Sequence, residues 1–215
     1  MDEYFEMFLS DFGPQFSKAQ PESAEIENFR GRLPNKLLEY WQIHGWGGYN
    51  SGLYWITNPQ DYLPVVEVWL DRATISDKQN YFAIARTAFG RVFLWNKQTG
   101  QSVTIDSLSG FLITTPPDET LNHEDDTKAL QYFISENEPD DVDFSDDTEK
   151  PLFKRALKKL GPLTSDEMYG FEPALCIGGI PKLENLVKVK IIEHLILLER
   201  LAEVEILHVD VRRHL

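Results

Sequence analysis

The sequence predicts an α+β protein, with a central antiparallel sheet flanked by helices and a mostly helical C-terminal part. Three observations predict it. Over the first 44 residues, apolar side chains recur at spacings of three and four, the period of a helix that buries one face. Between 80 and 115, short β-rich runs alternate with Gly-containing turns, as in a meander of antiparallel strands. Beyond Pro116-Pro117 the helical period returns.

The elements follow in order. Tyr4, Phe5, Phe8, Leu9 and Phe12 share one helical face, and Gly13-Pro14 ends that helix. A short helix is expected over Glu22–Arg30 and another over Lys36–His44, with Pro34 in a first-turn position and Gly45-Trp46-Gly47-Gly48 as the stop. Gly52–Ile56 reads as a strand. Asn58-Pro59 reads as a cap and first turn of a helix running to about Leu70, with Pro64 as a potential break. Strands are expected at Tyr81–Arg86, Arg91–Trp95, Val103–Ile105 and Phe111–Thr114. Leu121, Leu130, Phe133 and Ile134 indicate a helix, Asn137–Asp147 an acidic loop, and Pro151–Leu160 a basic amphipathic helix stopped by Gly161. Ala174–Ile177 reads as a buried strand and Leu186–Leu201 as a buried helix, apolar on most sides. The last helix suggests that residues 1–116 and 117–215 form two parts sharing one core.

Apolar residues make up 42% of the 215, enough for a substantial core, with thirteen Phe, eight Tyr and five Trp to fill it. The start Met1-Asp2-Glu3 carries the wrong charge for a secretory leader, and Leu195–Leu198 is too short an apolar run to span a bilayer. A cytoplasmic protein without a membrane partner is therefore expected. Cys176 is the one cysteine, which excludes an internal disulfide and points to a small core residue rather than a reactive thiol.

The charge is concentrated. The net charge is −14; residues 118–149 hold thirteen acidic residues against Lys128 alone, a net of −12, and the rest holds 22 acidic and 20 basic residues. Such a surface repels nucleic acid and attracts basic proteins.

Catalytic signatures are missing: there is no G-x-S-x-G, P-loop, G-x-G-x-x-G or H-E-x-x-H. No two of the five His stand at metal-ligand spacing, and His194 reads as a hydrogen-bonded core histidine. His123-Glu124-Asp125-Asp126 offers ligand types, but neighbours in sequence rarely converge on one ion. Asp141–Ser145 resembles the start of a calcium loop, yet Asp146 stands where the turn needs Gly and Leu152 where the bidentate Glu belongs. No cofactor, metal or catalytic residue is expected.

Two surfaces are candidates for a partner. The acidic segment reads either as a solvated linker or as a phosphate mimic, with Asp140, Asp141, Asp143, Asp146 and Asp147 as its contact residues. Trp46 and Tyr49, set among glycines, read either as core or as exposed interface aromatics.

The residues also carry a resemblance. Phe12-Gly13-Pro14, Leu33–Trp41 and Gly45–Tyr49 resemble the GAD-like domain. Leu152–Leu163, Asp166–Phe171 and Gly178-Gly179 are similar to the domain of unknown function that commonly follows it. Proteins of this two-part type resemble immunity partners of DNase effectors delivered by type VI secretion. The resemblance implies a non-enzymatic function: binding a cognate DNase toxin and occluding its DNA-binding or active site. Other readings remain open. One is a regulatory or scaffold protein that binds another basic partner, and another is an enzyme with scattered active-site residues.

Overall fold

The computed structural model describes residues 2–73, 75, 77–122 and 125–209. The first helix, α1 (Glu3–Phe12), begins where Asp2 accepts a hydrogen bond from the Phe5 amide at 3.1 Å and ends at Gly13, whose φ is +72°. Its face of Phe5, Phe8 and Phe12 is buried. A short helix, α2 (Ser23–Glu27), and then α3 (Asn35–His44) complete the N-terminal helical layer.

Strands β1 (Ser17–Ala19), β2 (Trp46–Tyr49) and β3 (Tyr54–Ile56) open the main sheet. The glycine-rich stretch after α3 is therefore a strand, not the loop its composition suggests. A Cβ on Gly47 would lie 1.8 Å from the Ser17 carbonyl oxygen, and one on Gly45 2.4 Å from that of Ala19. These glycines let β1 close against β2, which is a strand use of glycine as much as a turn use.

Pro59–Tyr62 forms a 3₁₀ turn capped by Asn58 and leads into α4 (Leu63–Arg72). Pro64 sits in the first turn of α4, where no amide donor is required, so it does not break the helix. Strands β4 (Tyr81–Thr87), β5 (Arg91–Asn96), β6 (Gly100–Asp106) and β7 (Phe111–Thr114) form the meander that the sequence predicts. Every residue of β4 is buried, so both faces of the sheet are covered there.

The C-terminal part holds α5 (Thr127–Ser135), α6 (Pro139–Val142), α7 (Phe153–Leu160), the antiparallel pair β8 (Glu167–Phe171) and β9 (Leu186–Lys190), α8 (Ile191–Leu201) and β10 (Glu205–His208). The main sheet runs β1-β2-β3-β4-β5-β6-β7-β10. Its neighbours are antiparallel except β10, which joins β7 in parallel. The molecule is α+β.

Two C-terminal elements differ from expectation. Leu175–Ile177 is a 3₁₀ turn with Ile177 58% exposed, and the buried strand lies just before it at β8. An apolar run of three or four residues carries too little period to distinguish the two. Leu186–Leu201 splits at Lys190 into a strand and a helix. Leu-Val-Lys-Val-Lys alternates with period two, and only from Ile191 does the helical period hold. Leu195 and Leu198 are buried as the helical period requires, whereas Leu197 and Leu201 face outward.

One apolar core runs through both parts. α8 packs on α4, and Trp69 Nε1 donates to the Leu195 carbonyl at 3.0 Å. The Tyr169 amide donates to the Ala88 carbonyl at 2.9 Å. Arg86, fully buried, stacks on Trp55 with its guanidinium 4.4 Å from the ring and donates to the Ser165 carbonyl at 3.0 Å. Burial in these surroundings pulls its pKa down from the ordinary guanidinium value.

Candidate functional site

The described part of the acidic segment is folded. After β7, the Asp118 amide donates to the Thr99 carbonyl at 3.1 Å, and the Asp118 carboxylate accepts from the Thr120 amide and hydroxyl at 2.8 and 2.6 Å. α5 then buries Ala129, Leu130 and Ile134 as it packs against α1 and α3. Tyr132 meets Tyr4 edge-on at 5.8 Å, and Phe133 meets Phe93 of β5 at 5.6 Å. The apolar spacing of α5 thus pins the acidic segment onto the core, which a solvated linker would lack.

The five aspartates divide by role. Asp140 and Asp141, in the first turn of α6, are exposed, with no cation within ion-pairing distance of either carboxylate among the described residues. Arg91 approaches but donates to the Asp141 carbonyl oxygen at 3.1 Å, and its ion pair is with Asp106 at 3.3 Å. Asp143 turns inward and accepts from the Phe153 amide at 2.9 Å, so it caps the start of α7, and from the Phe144 amide at 2.6 Å. Burial pushes its pKa up, and the backbone donors oppose that only in part. Asp146 accepts from the Thr148 hydroxyl and amide and from the Lys150 amide, and pairs with Arg155 at 2.6 Å. Those donors, the Thr148 hydroxyl first, hold its carboxyl well below the usual carboxylate range. Asp147 is exposed and faces Lys182 at 3.4 Å.

Trp46 and Tyr49 are not surface aromatics. They are 8% and 0% exposed. Trp46 packs edge-on against Trp41 at 5.7 Å, and Tyr49 sits against Phe8 at 4.9 Å. Neither is placed to touch a partner. The reason is tertiary: β2 is held in the sheet between β1 and β3, and its rings pack under helices, Trp46 against Trp41 of α3 and Tyr49 against Phe5 and Phe8 of α1.

The remaining chemistry-bearing residues read as structure. Cys176 is half-buried, and burial raises its pKa, which disfavours the thiolate. His194 is half-buried over Gly170, and its Nε2 has no hydrogen-bond partner among the described residues, unlike the hydrogen-bonded core histidine expected. Burial lowers its pKa, so the neutral ring is favoured. His123 and Glu124 lie outside the described residues. Among the described residues, no three His, Cys, Asp or Glu side chains converge where they could hold a metal ion, and no helix is long and apolar enough to cross a membrane.

One feature of the acidic face escapes the sequence. Phe93, Gln101, Asp118, Phe133, Glu136 and Asn137 line a surface cleft of about 250 Å³. Its walls come from β5, β6, the loop after β7 and the end of α5, and no sequence spacing connects them.

A GAD-like domain model matches residues 3–109, and a model of the type VI secretion immunity protein Tdi1, C-terminal, matches residues 127–202. The chain belongs to the GAD-like immunity proteins. The fold of this immunity protein is also that of a crystal structure of Atu4351 from Agrobacterium tumefaciens. That likeness has a TM-score of 0.87 at 20% identity and covers 97% of this chain and 94% of that one. No curated protein sequence matches the immunity protein. A role in type VI secretion immunity implies a toxin protein as its partner.

Proposed function

We propose that this immunity protein binds a cognate DNase effector in the cytoplasm and occludes its DNA-binding or active site, without catalysis of its own. The observation that carries the proposal is the ordered concentration of charge. Residues 118–149 hold −12 of the −14 net charge, and α5 and the turn at Asp146 attach the described part of that segment to the body of the protein. A nuclease must present positive charge to phosphates, so a fixed array of carboxylates is complementary to it and speeds encounter. The immunity protein itself, carrying this charge, does not bind nucleic acid.

Titration of a candidate nuclease toxin with the protein tests the proposal. DNA cleavage should fall in proportion to added protein and vanish near equivalence. Cleavage of the toxin, or inhibition far below equivalence, would exclude occlusion. Full nuclease activity at excess would favour a scaffold for some other basic partner.

A further inference from the structure

The cleft at the end of α5 has a chemistry more specific than a negative surface. Two carboxylates border it, Asp118 and Glu136. Two amides border it as well, and their nitrogens are tied to the protein. Gln101 Nε2 donates to the Val103 carbonyl at 3.0 Å and to the Thr104 hydroxyl at 2.9 Å, and Asn137 Nδ2 donates to the Phe133 carbonyl at 2.5 Å. Gln101 then has only its carbonyl oxygen to offer, and Asn137 has its carbonyl oxygen and one remaining N–H. The polar rim is therefore biased towards acceptors. The apolar part is the edge-on pair Phe93 and Phe133, with centroids 5.6 Å apart.

The rim is built rather than incidental. Asp118 is held from two sides, its amide on the Thr99 carbonyl at 3.1 Å and its carboxylate on Thr120. Gly100, at φ +71°, leaves the space Asp118 occupies, since a Cβ there would lie 3.2 Å from the Asp118 Cβ. About 250 Å³ is below the roughly 300–1,000 Å³ of a site for a drug-sized ligand. It suits one long side chain.

We propose that this cleft receives an arginine side chain of the basic partner, its guanidinium donating to Asp118, Glu136 and the two amide oxygens while its plane lies against the Phe93–Phe133 pair. Arginine fits better than lysine on two counts. A planar guanidinium offers five donors to a rim of several acceptors, and being weakly hydrated it stacks on aromatic rings at lower cost. The inference rests on the reading of the partner as a basic toxin, but the cleft can be tested without one.

The probe is butylguanidinium, compared with its neutral isostere butylurea and with butylammonium, each titrated into the full chain and followed by NMR. Saturable shifts at the side-chain amides of Gln101 and Asn137 and at the Phe133 ring are expected for butylguanidinium. Butylammonium should bind several-fold more weakly and butylurea not at all. Asp118→Asn keeps the acceptor that Thr120 requires and, combined with Glu136→Gln, should weaken butylguanidinium binding at least tenfold. Glu136→Lys, at an exposed position, should fill the cleft with an ammonium group and abolish it. Shifts spread over the whole acidic surface, equal response to butylurea, or binding unchanged in both variants would overturn the proposal. The outcome is separable from that for the proposed function. A chain that neutralises the nuclease but does not bind butylguanidinium loses only the cleft. A chain that binds butylguanidinium but leaves the nuclease active keeps the cleft and loses the DNase.

Discussion

Strand β2 (Trp46–Tyr49) is surrounded, whereas the described part of residues 118–149 packs through one face of α5 and leaves other residues exposed. The strand has neighbours on both edges, β1 and β3, and all four of its residues are buried. The acidic segment is attached through the apolar face of α5 and through backbone groups satisfied by Asp143 and Asp146. Its other side presents Asp140 and Asp141 to solvent. Two regions that both suggest interaction surfaces by composition thus have opposite roles. The aromatic strand supplies stability and no contact. The acidic segment presents charge to solvent, and two of its five marked aspartates supply the order that holds that charged surface in place.

The largest expected effect tests the strand. Trp46→Ala removes a buried indole packed on Trp41 and should cost about 3–5 kcal/mol, the usual range for a large buried aromatic. Thermal or denaturant unfolding measures it directly. Affinity for a partner, measured on the fraction that remains folded, should hold. A stable Trp46→Ala protein with weakened partner binding would restore Trp46 as a surface contact and break the comparison.

The next effect divides the aspartates. Asp143→Ala removes the side chain that accepts from the Phe153 amide at the start of α7. A lost helix cap costs about 0.5–2 kcal/mol. Asp146 adds a pH dependence. Its folded pKa is depressed, so its contribution is fully present above the unfolded carboxylate pKa and is lost as pH falls through the folded value. Asp143 has a raised folded pKa, and the sign reverses: its ionisation weakens the folded state as pH rises through that value. Asp146→Asn should therefore flatten the loss of stability below about pH 4, and Asp143→Asn should not. Melting curves of both variants from neutral pH down to about pH 2 read this out. Parallel acid limbs for parent and Asp146→Asn would show that the turn at Asp146 is not ordered by its charge.

Much of this was legible in the sequence, for definite reasons. α1, α3 and the meander β4 to β7 announce themselves because hydrophobic period and turn chemistry agree along each stretch. The concentration of charge needs only counting. What the sequence hides is whichever neighbour arrives from far along the chain. β2 is a strand because β1 pairs with its edge, and Gly47 permits that close contact, yet a glycine reads first as a turn; the rings of β2 are buried by α1 and α3. β9 was masked because its alternation runs directly into a helix of similar composition. The inward turn of Asp143 depends on Phe153, ten residues on. The cleft joins Gln101 to Asn137 through tertiary packing alone.

The smallest effect is the one that bears on the partner. Among the described residues, Asp140 and Asp141 are the two of the five whose carboxylates neither pair with a cation nor satisfy the backbone. Changing both to Asn should leave unfolding within about 0.5 kcal/mol of the parent, as for surface substitutions generally. Electrostatic steering as a whole raises association rates about 10- to 1,000-fold. These two charges are a sixth of the −12 on the segment. If each charge contributes equally to the logarithm of the rate, their loss should slow association about 1.5- to 3-fold at low salt. The difference should shrink as ionic strength rises, because screening acts over about 8–10 Å at moderate salt. Dissociation should change less than association, since rim charges act mainly on encounter. Stopped-flow association with the nuclease at two ionic strengths, for parent and double variant, makes the measurement. A slowing that persists undiminished at high salt would mean that the two carboxylates make short contacts in the complex. Equal rates at both salts would place the interface away from α6 and leave the cleft between Asp118 and Glu136 as the part of the acidic face still in contention.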